Sequence, residues 1–289
     1  MRERLEIFIN KIPLEKLVAR LVEQSDMTAS ESIYYLNTYI NETRVALTLI
    51  ERHLDKNKVI LEVGAGLCFF SLFLRSEGYI VTALEPFSGG FDLFSTAQKI
   101  VLEHYSYLKL SVINIEADKL TKEHNGTFDL IFSNNVIEHM KPLTANLLGM
   151  KTVLDEKGLM VHGCPNYVIP YEPHLQLPVI KRFPALTSYF FSKKVNQKKN
   201  IWESLNFITY FDLCRFAKDN QLNMSGRKGV LYDAFCRLEK DSYYRNRQSS
   251  KVFWYTYLFL KKTFLIYVLK YWPVAISTPM IVEMRSFDN

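Results

Sequence analysis

The chain has 289 residues, enough for one α/β domain with additions or for two small domains. It is 48% apolar, so a sizeable core is within reach, and its net charge of +6 is only mildly basic. It has no Lys/Arg-rich arm and no aromatic-basic signature, so no nucleic-acid partner is expected, and its four cysteines (Cys68, Cys164, Cys214, Cys236) form no close pair that would suggest a zinc knuckle or a disulfide framework.

Reduced thiols in a cytoplasm are the simpler reading of those cysteines. The start, Met1-Arg2-Glu3-Arg4, alternates charges and lacks a long apolar run, which is unlike a secretory signal. Residues 14–24 and 30–53 read as helices, the second capped by Thr28 or Ser30. Strand–helix alternation then begins. Val59 to Val63 is a buried strand, 67–77 an apolar helix, Tyr79 to Leu84 a second strand and 91–105 a helix. Leu110 to Ile115 is a third strand and Phe128 to Phe132 a fourth. A helix over 142–154 is broken by a turn at Asp155-Glu156-Lys157-Gly158, before a fifth strand at Leu159 to His162.

Near-continuous apolar strands alternating with helices predict a parallel sheet covered on both faces. From Pro165 to about Ser204 the alternation stops. Pro165, Pro170, Pro173, Pro178 and Pro184 disfavour regular structure there, so the stretch reads as a lid or acceptor-binding insertion. A helix at 209–220, a sixth strand near 222–232 and a seventh at Thr278 to Arg285 complete the pattern.

The first strand runs into Glu62-Val63-Gly64-Ala65-Gly66. Glycine suits a turn needing positive φ or close approach of a ligand to the backbone, and the next helix offers N–H groups to an anionic or polar ligand. A dinucleotide fingerprint needs a third Gly at position 69, which is Phe, and no Gly-Lys-Ser/Thr follows to make a Walker loop. A tight turn without ligand is the plain alternative. Glu85 ends the second strand 21 residues after Gly64, followed by Pro86, where a carboxylate can accept from a ribose diol. Glu116-Ala117-Asp118 after the third strand holds an acid for an adenine amino group; which acid is open, and a solvated loop is the alternative. Ser133 to Met140, with Asn134, Asn135, Glu138 and His139, places polar groups at the same sheet edge.

Together these residues resemble the class I S-adenosylmethionine-dependent methyltransferases. The acid–x–Gly–x–Gly motif is matched by Glu62 to Gly66, the ribose acid by Glu85, the segment after strand four by Glu138-His139, and the turn before strand five by Lys157-Gly158. The match is good over about 40–165 and looser at 205–232 and 278–286. The resemblance implies a Rossmann-like, mostly parallel seven-stranded sheet with helices on both faces, S-adenosylmethionine as cofactor, and Glu62, Gly64, Ala65, Gly66, Glu85, Pro86, Glu116, Ala117, Asp118, Asn134 and Asn135 around it.

The family's usual antiparallel closing strand would be Thr278 to Arg285. Some quinone-pathway O-methyltransferases of the family carry a Glu–x–x–Glu–His metal segment. Asn135 stands at its first Glu here, so no metal is expected. The implied reaction is methyl transfer to a small or amphiphilic acceptor, on oxygen, with His139 or His174 as candidate base and Tyr171 beside His174 at the acceptor. The plain alternatives are a helix-fastening role for His139 and lid packing for His174. A nicotinamide oxidoreductase on a related fold and a non-catalytic methyltransferase-like subunit are the rival readings.

One domain is expected over 1–289: a helical cap (1–54), a cofactor-binding core (55–165), a lid (166–204) and a C-terminal half (205–289). Residues 251–272 read as one aromatic helix with Lys251, Lys261, Lys262 and Lys270 on one side and no acid. The lysines interrupt any membrane span. An interfacial helix on the inner face of the membrane, suited to a glycan or lipid-linked acceptor, is one reading. Packing on the protein's own core or on a second copy is the other.

Overall fold

A computed structural model describes residues 1–86, 95–240, 245 and 251–286. Three helices come first: α1 (Arg2–Asn10), α2 (Leu14–Gln24) and α3 (Ala29–Ile50). Then follow β1 (Val59–Val63), α4 (Phe69–Ser76), β2 (Ile80–Leu84), α5 (Ser95–His104), β3 (Ser111–Ile113), α6 (Lys122–Asn125), β4 (Phe128–Asn134), α7 (Leu143–Thr152) and β5 (Leu154–Cys164). A hairpin of β6 (Tyr171–Glu172) and β7 (Leu177–Pro178) leads to α8 (Pro184–Phe190), α9 (Ser192–Gln197) and α10 (Lys199–Ser204). The chain ends with α11 (Tyr210–Asp219), β8 (Leu222–Gly226), α12 (Val230–Lys240), α13 (Lys251–Lys262), a 3-10 helix (Leu265–Tyr271) and β9 (Met280–Ser286).

The seven long strands form one sheet of order β3-β2-β1-β4-β5-β9-β8. β1 runs parallel to both β2 and β4, and β2 parallel to β3. The mostly parallel seven-stranded α/β sheet expected from the sequence is present, with the last strand of the chain entered between the fifth and sixth. By contact density the chain forms two compact units. The first is Met1–His162 with Lys198–Asn206 and Met284–Asn289; the second is Gly163–Gln197 with Phe207–Glu283. No described helix is long and apolar enough to cross a membrane.

In the first unit, Ile60, Leu61 and Val63 of β1 are buried, as a strand covered on both faces requires. α3 starts at Thr28, whose hydroxyl accepts from Glu31 N–H while Glu31 accepts from Thr28 N–H, a reciprocal capping box. Leu17 and Leu21 of α2, Leu36 and Ile40 of α3, Leu72 of α4 and Ile100 of α5 share one core cluster. Each such side chain contributes about 1.5–3 kcal/mol by leaving water. Arg44 on α3 forks onto both oxygens of Glu6 at 2.7 and 2.6 Å, tying α3 to α1.

His162 of β5 is completely buried, and its Nδ1 meets Ser133 Oγ of β4 at 2.8 Å. Burial pushes its pKa down to about 4. The unfolded chain therefore takes up this proton first. The stability His162 contributes is whole above about pH 6.5 and falls as pH drops towards 4. Urea denaturation should show a loss of about 2 kcal/mol between pH 7 and pH 5. His162→Gln should flatten that segment, and an unchanged slope in the variant would exclude His162 as its source.

Several elements depart from the sequence reading. The expected turn at Asp155 to Gly158 lies inside β5: its turn-like composition keeps only a local bond, from Lys157 N–H to Asp155 Oδ1 at 3.0 Å, and sheet pairing overrides the rest. The lid prolines up to Pro178 exclude helix but not strand, since Pro178 lies in β7, and Pro184 starts a helix. It occupies the first turn of α8, where a missing N–H costs nothing. The sixth strand stops at Gly226 and gives way to α12, which, like α1, the sequence reading did not anticipate. Of the expected helix 91–105, α5 starts at Ser95, and 91–94 lie outside the described residues.

In the second unit the buried Asn166 satisfies both ends of its amide. It donates to the carbonyls of Ala275 and Ser277, both at 3.0 Å, and accepts from Tyr210 N–H at 3.1 Å. Thr209 and Asp212 cap α11 reciprocally. The expected single helix over 251–272 is two pieces. α13 stops at Lys262, and Phe264 takes a left-handed φ of 60°, a conformation that ends a helix as a C-terminal cap does. Tyr257, Ile266 and Leu269 turn inward to meet Leu238 of α12 in a second small core.

Candidate cofactor site

The parallel register sets the site within the first unit. Val63 of β1 is level with Leu84 of β2 and Ser133 of β4, and Leu84 with Ile113 of β3. Gly64, Glu85, Asn114 and Asn134 therefore stand in one row at the carboxyl ends of the strands. Strand order reverses between β1 and β4 in that row, the point where open α/β sheets bind ligands.

The glycine turn is held from all sides. Gly64 and Gly66 have φ of 72° and 53°, which disfavours any side chain. A Cβ on Gly64 would lie 2.3 Å from Val136, and one on Gly66 would lie 2.2 Å from the Tyr39 ring. The close approach expected of a ligand is thus already made by this chain's own side chains. Gly66 N–H donates to Glu85 Oε2 at 2.7 Å, and Gly66 C=O accepts from Gln98 Nε2 at 2.8 Å. Ala65 is buried in the same turn and its N–H reaches the Leu84 carbonyl at 3.2 Å. Cys68 caps α4 with backbone only, leaving the first turn of that helix without a side-chain cap.

Glu85 follows β2, with its backbone tied to Ile113 and Asn114 of the β3 edge; Pro86 is the next residue, half-buried. A carboxylate has about four acceptor positions, and Gly66 N–H takes one of them. Ala117 is buried beneath Gly149 of α7 and holds the Glu116–Asp118 turn in place. Glu116 is half-buried, and Asp118 Oδ1 is buried without a hydrogen-bond partner among the described residues. A buried orphan acceptor is costly unless a donor such as an amino group arrives.

Other predicted residues are spent on the protein itself. Glu62 bonds Ser71 of α4, and burial pushes its carboxyl up to about 8, so at neutral pH it is a protonated acid rather than a ligand-binding anion. Asn134 and Asn135 both donate to Glu42 Oε2, at 2.8 and 3.2 Å. His139 Nδ1 lies 2.7 Å from Ser204 Oγ, whose own proton goes to the Ile201 carbonyl, so His139 is the donor. That bond pins the 3-10 turn after β4 to α10.

The site also uses residues that motif reading missed. Tyr39 and Glu42 come from α3, and Gln98 from α5. Burial raises the Tyr39 pKa and keeps its phenol protonated against the glycine turn. Tyr35, Tyr39 and Glu42 stand at spacings of four and three, one face of a helix, and that was the available signal.

A family profile described as a methyltransferase domain matches residues 36–224. The chain is an S-adenosylmethionine-dependent methyltransferase of the class I, Rossmann-like family. The nicotinamide oxidoreductase falls to this match. The methyltransferase is 30% identical over 246 residues to an uncharacterized protein of Mycobacterium tuberculosis, covering 82% of this chain and 83% of that one. It is 27% identical over 182 residues to the ubiquinone biosynthesis O-methyltransferase of Rickettsia akari, covering 63% and 65%. Its fold matches that of a cyclopropane-fatty-acyl-phospholipid synthase-like protein from Lactobacillus casei, with a TM-score of 0.53 at 14% identity over 99% of this chain and 100% of that one. The glycine turn, Glu85 and the orphan Asp118 Oδ1 suit the turn, diol and amino group of an adenosyl cofactor.

Proposed function

We propose that this methyltransferase methylates a hydroxyl oxygen of a small or amphiphilic acceptor, with His174 as general base. The observation that carries this is the setting of His174 in the second unit. Its Nδ1 lies 2.6 Å from Oε1 of the fully buried Glu172. Glu172 also accepts from the His174 and Leu175 N–H groups and from Tyr167 Oη. Burial works to raise the Glu172 carboxyl, but the His174 side chain and the two N–H groups outweigh it and hold it below its usual range. Glu172 is therefore an anion that accepts from Nδ1–H and orients the ring, so that in the neutral form of His174 the basic nitrogen would be Nε2. A histidine base oriented by a carboxylate is the arrangement that activates a hydroxyl; a neutral amine needs such a base less.

Bound S-adenosylmethionine supplies an electrophilic methyl group on a sulfonium. Glu85 would take the ribose diol, the Gly64–Gly66 turn the amino-acid end, and the Glu116–Asp118 turn the adenine amine. The methyl group would pass to the acceptor oxygen, for which His174 Nε2 would take the hydroxyl proton. His139, bound to Ser204, is assigned a holding role. Tyr171, edge-on to Phe253 at 5.9 Å, is assigned to the acceptor. The Rickettsia relative's name supports oxygen as target and a quinone-like or lipid-linked acceptor, while none of the four cysteines is in a disulfide, which supports a cytoplasmic setting. The test is release of S-adenosylhomocysteine with phenols, glycans and lipid intermediates as acceptors. Turnover on a phenol, slowing on acidification as the base is protonated, is expected. Turnover confined to amines would overturn the reading.

A further inference from the structure

The charge and the exposed apolar surface of this chain are concentrated in the second unit. That unit has sixteen basic and seven acidic residues, a net +9, while the rest of the chain has twenty basic and twenty-three acidic, a net −3. Of the 24 large hydrophobic residues exposed among the described residues, 17 belong to the second unit. They fall mainly in two stretches without a single acid, 173–202 and 251–272.

The C-terminal stretch shows how they are presented. On α13, Tyr255, Leu258, Phe259 and Lys262 are exposed and share one helical face, while Tyr257 points inward. In the 3-10 helix that follows, side chains repeat every three residues. Ile266 and Leu269 are buried, and the adjacent row of Leu265, Val268 and Tyr271 is exposed by 47, 54 and 79%. A solvent-facing row should be polar; this one has no polar residue but a tyrosine. The lysine heads stand among the rings: Lys270 lies over Tyr232 and Tyr267 at 4.8 and 5.2 Å, and Lys261 over Tyr257 at 5.7 Å. In the other stretch, Phe183, Leu186, Tyr189 and Phe190 of the α8 segment are exposed beside Lys181 and Arg182.

We infer that the exposed aromatic surface of residues 255–271 docks on an anionic phospholipid bilayer, lying in the headgroup region. Aromatic and aliphatic side chains bury in the acyl boundary, and the lysines among them meet lipid phosphates. A second copy of the chain fits less well: Lys261 is already paired with Glu239 at 2.6 Å, and a two-fold pairing would set Lys262 against the same stretch, which holds no acid. The inference stands apart from the choice of acceptor.

The test is flotation of the full chain with vesicles of phosphatidylglycerol and phosphatidylcholine, against vesicles of phosphatidylcholine alone. Binding is expected to the anionic vesicles and to weaken with salt. A Phe259→Ser/Val268→Ser/Tyr271→Ser variant should bind about tenfold less, and Lys262→Glu severalfold less. Both should keep the thermal shift produced by S-adenosylhomocysteine, which shows that they fold. Failure of the native chain to float, or equal flotation with neutral vesicles, would overturn the inference. So would a dimer by light scattering that the triple variant dissolves, which would assign the face to a second copy.

Discussion

Replacing Glu85 by Ala should weaken S-adenosylhomocysteine binding by roughly two to three orders of magnitude, as two charge-assisted hydrogen bonds to a ribose diol are together worth about 3–5 kcal/mol. Two effects add in the same direction. The diol loses its acceptor, and the Gly66 N–H, now paired with Glu85 at 2.7 Å, loses its partner in the turn. Calorimetric titration measures the first directly. Thermal denaturation of the unliganded variant measures the second, because a loosened turn lowers its midpoint before any ligand is added. Glu85→Gln keeps an acceptor but not the charge, and should fall between the native chain and the alanine variant. Unchanged affinity in Glu85→Ala would mean that the ribose is not held at the end of β2.

The second large effect belongs to His174. His174→Gln should cut kcat on a hydroxyl acceptor by about 10²–10⁴-fold, the range a positioned general base contributes, and leave cofactor affinity as it was. Glu172→Gln should fall short of that loss, since the base survives but its ring orientation and tautomer are no longer imposed. The pair of variants separates two outcomes. Equal, complete losses accompanied by a lower melting midpoint would mark the Tyr167–Glu172–His174 cluster as structural. A kcat loss in His174→Gln with an unchanged midpoint is the catalytic result, and a full native rate in that variant would remove His174 from the chemistry.

The parts of the fold that sequence pattern disclosed are those where local and long-range demands agree. Val59 to Val63 reads as a strand because five residues of strand-forming, mostly apolar type fit a strand covered on both faces, and the structure begins and ends it there. The place of Glu85 was legible because a carboxylate directly before Pro86 marks the end of the strand, and the structure ends β2 at Leu84. Disagreement arose where the two demands part. Asp155 to Gly158 has turn composition, but sheet pairing holds it extended. Residues 251–272 have continuous apolar character, which does not distinguish an α-helix from an α-helix followed by a 3-10 helix, and Phe264 gives no Gly or Pro signal at the break.

The site residues divide the same way. Gly64 and Gly66 announce themselves because few other residues tolerate their backbone. Asn134 and Asn135 were placed correctly at the sheet edge, yet their amides are committed to Glu42. Nothing in the strand–helix alternation points back to α3 for that partner. Glu172 was passed over inside a proline-rich stretch, because its role depends on a hydrogen bond to a side chain two residues on rather than on any repeat.

The bonds from Asn134 and Asn135 to Glu42, with Tyr39 against Gly66, bear on where the chain can be cut. A designer who wanted a minimal enzyme would trim before Val59, where the recognisable alternation begins and the helices ahead of it look dispensable. That cut would remove a wall of the candidate cofactor site. The smallest useful fragment has to begin upstream of α3, and grafting the glycine turn into another scaffold requires a tyrosine and a glutamate from a helix to travel with it.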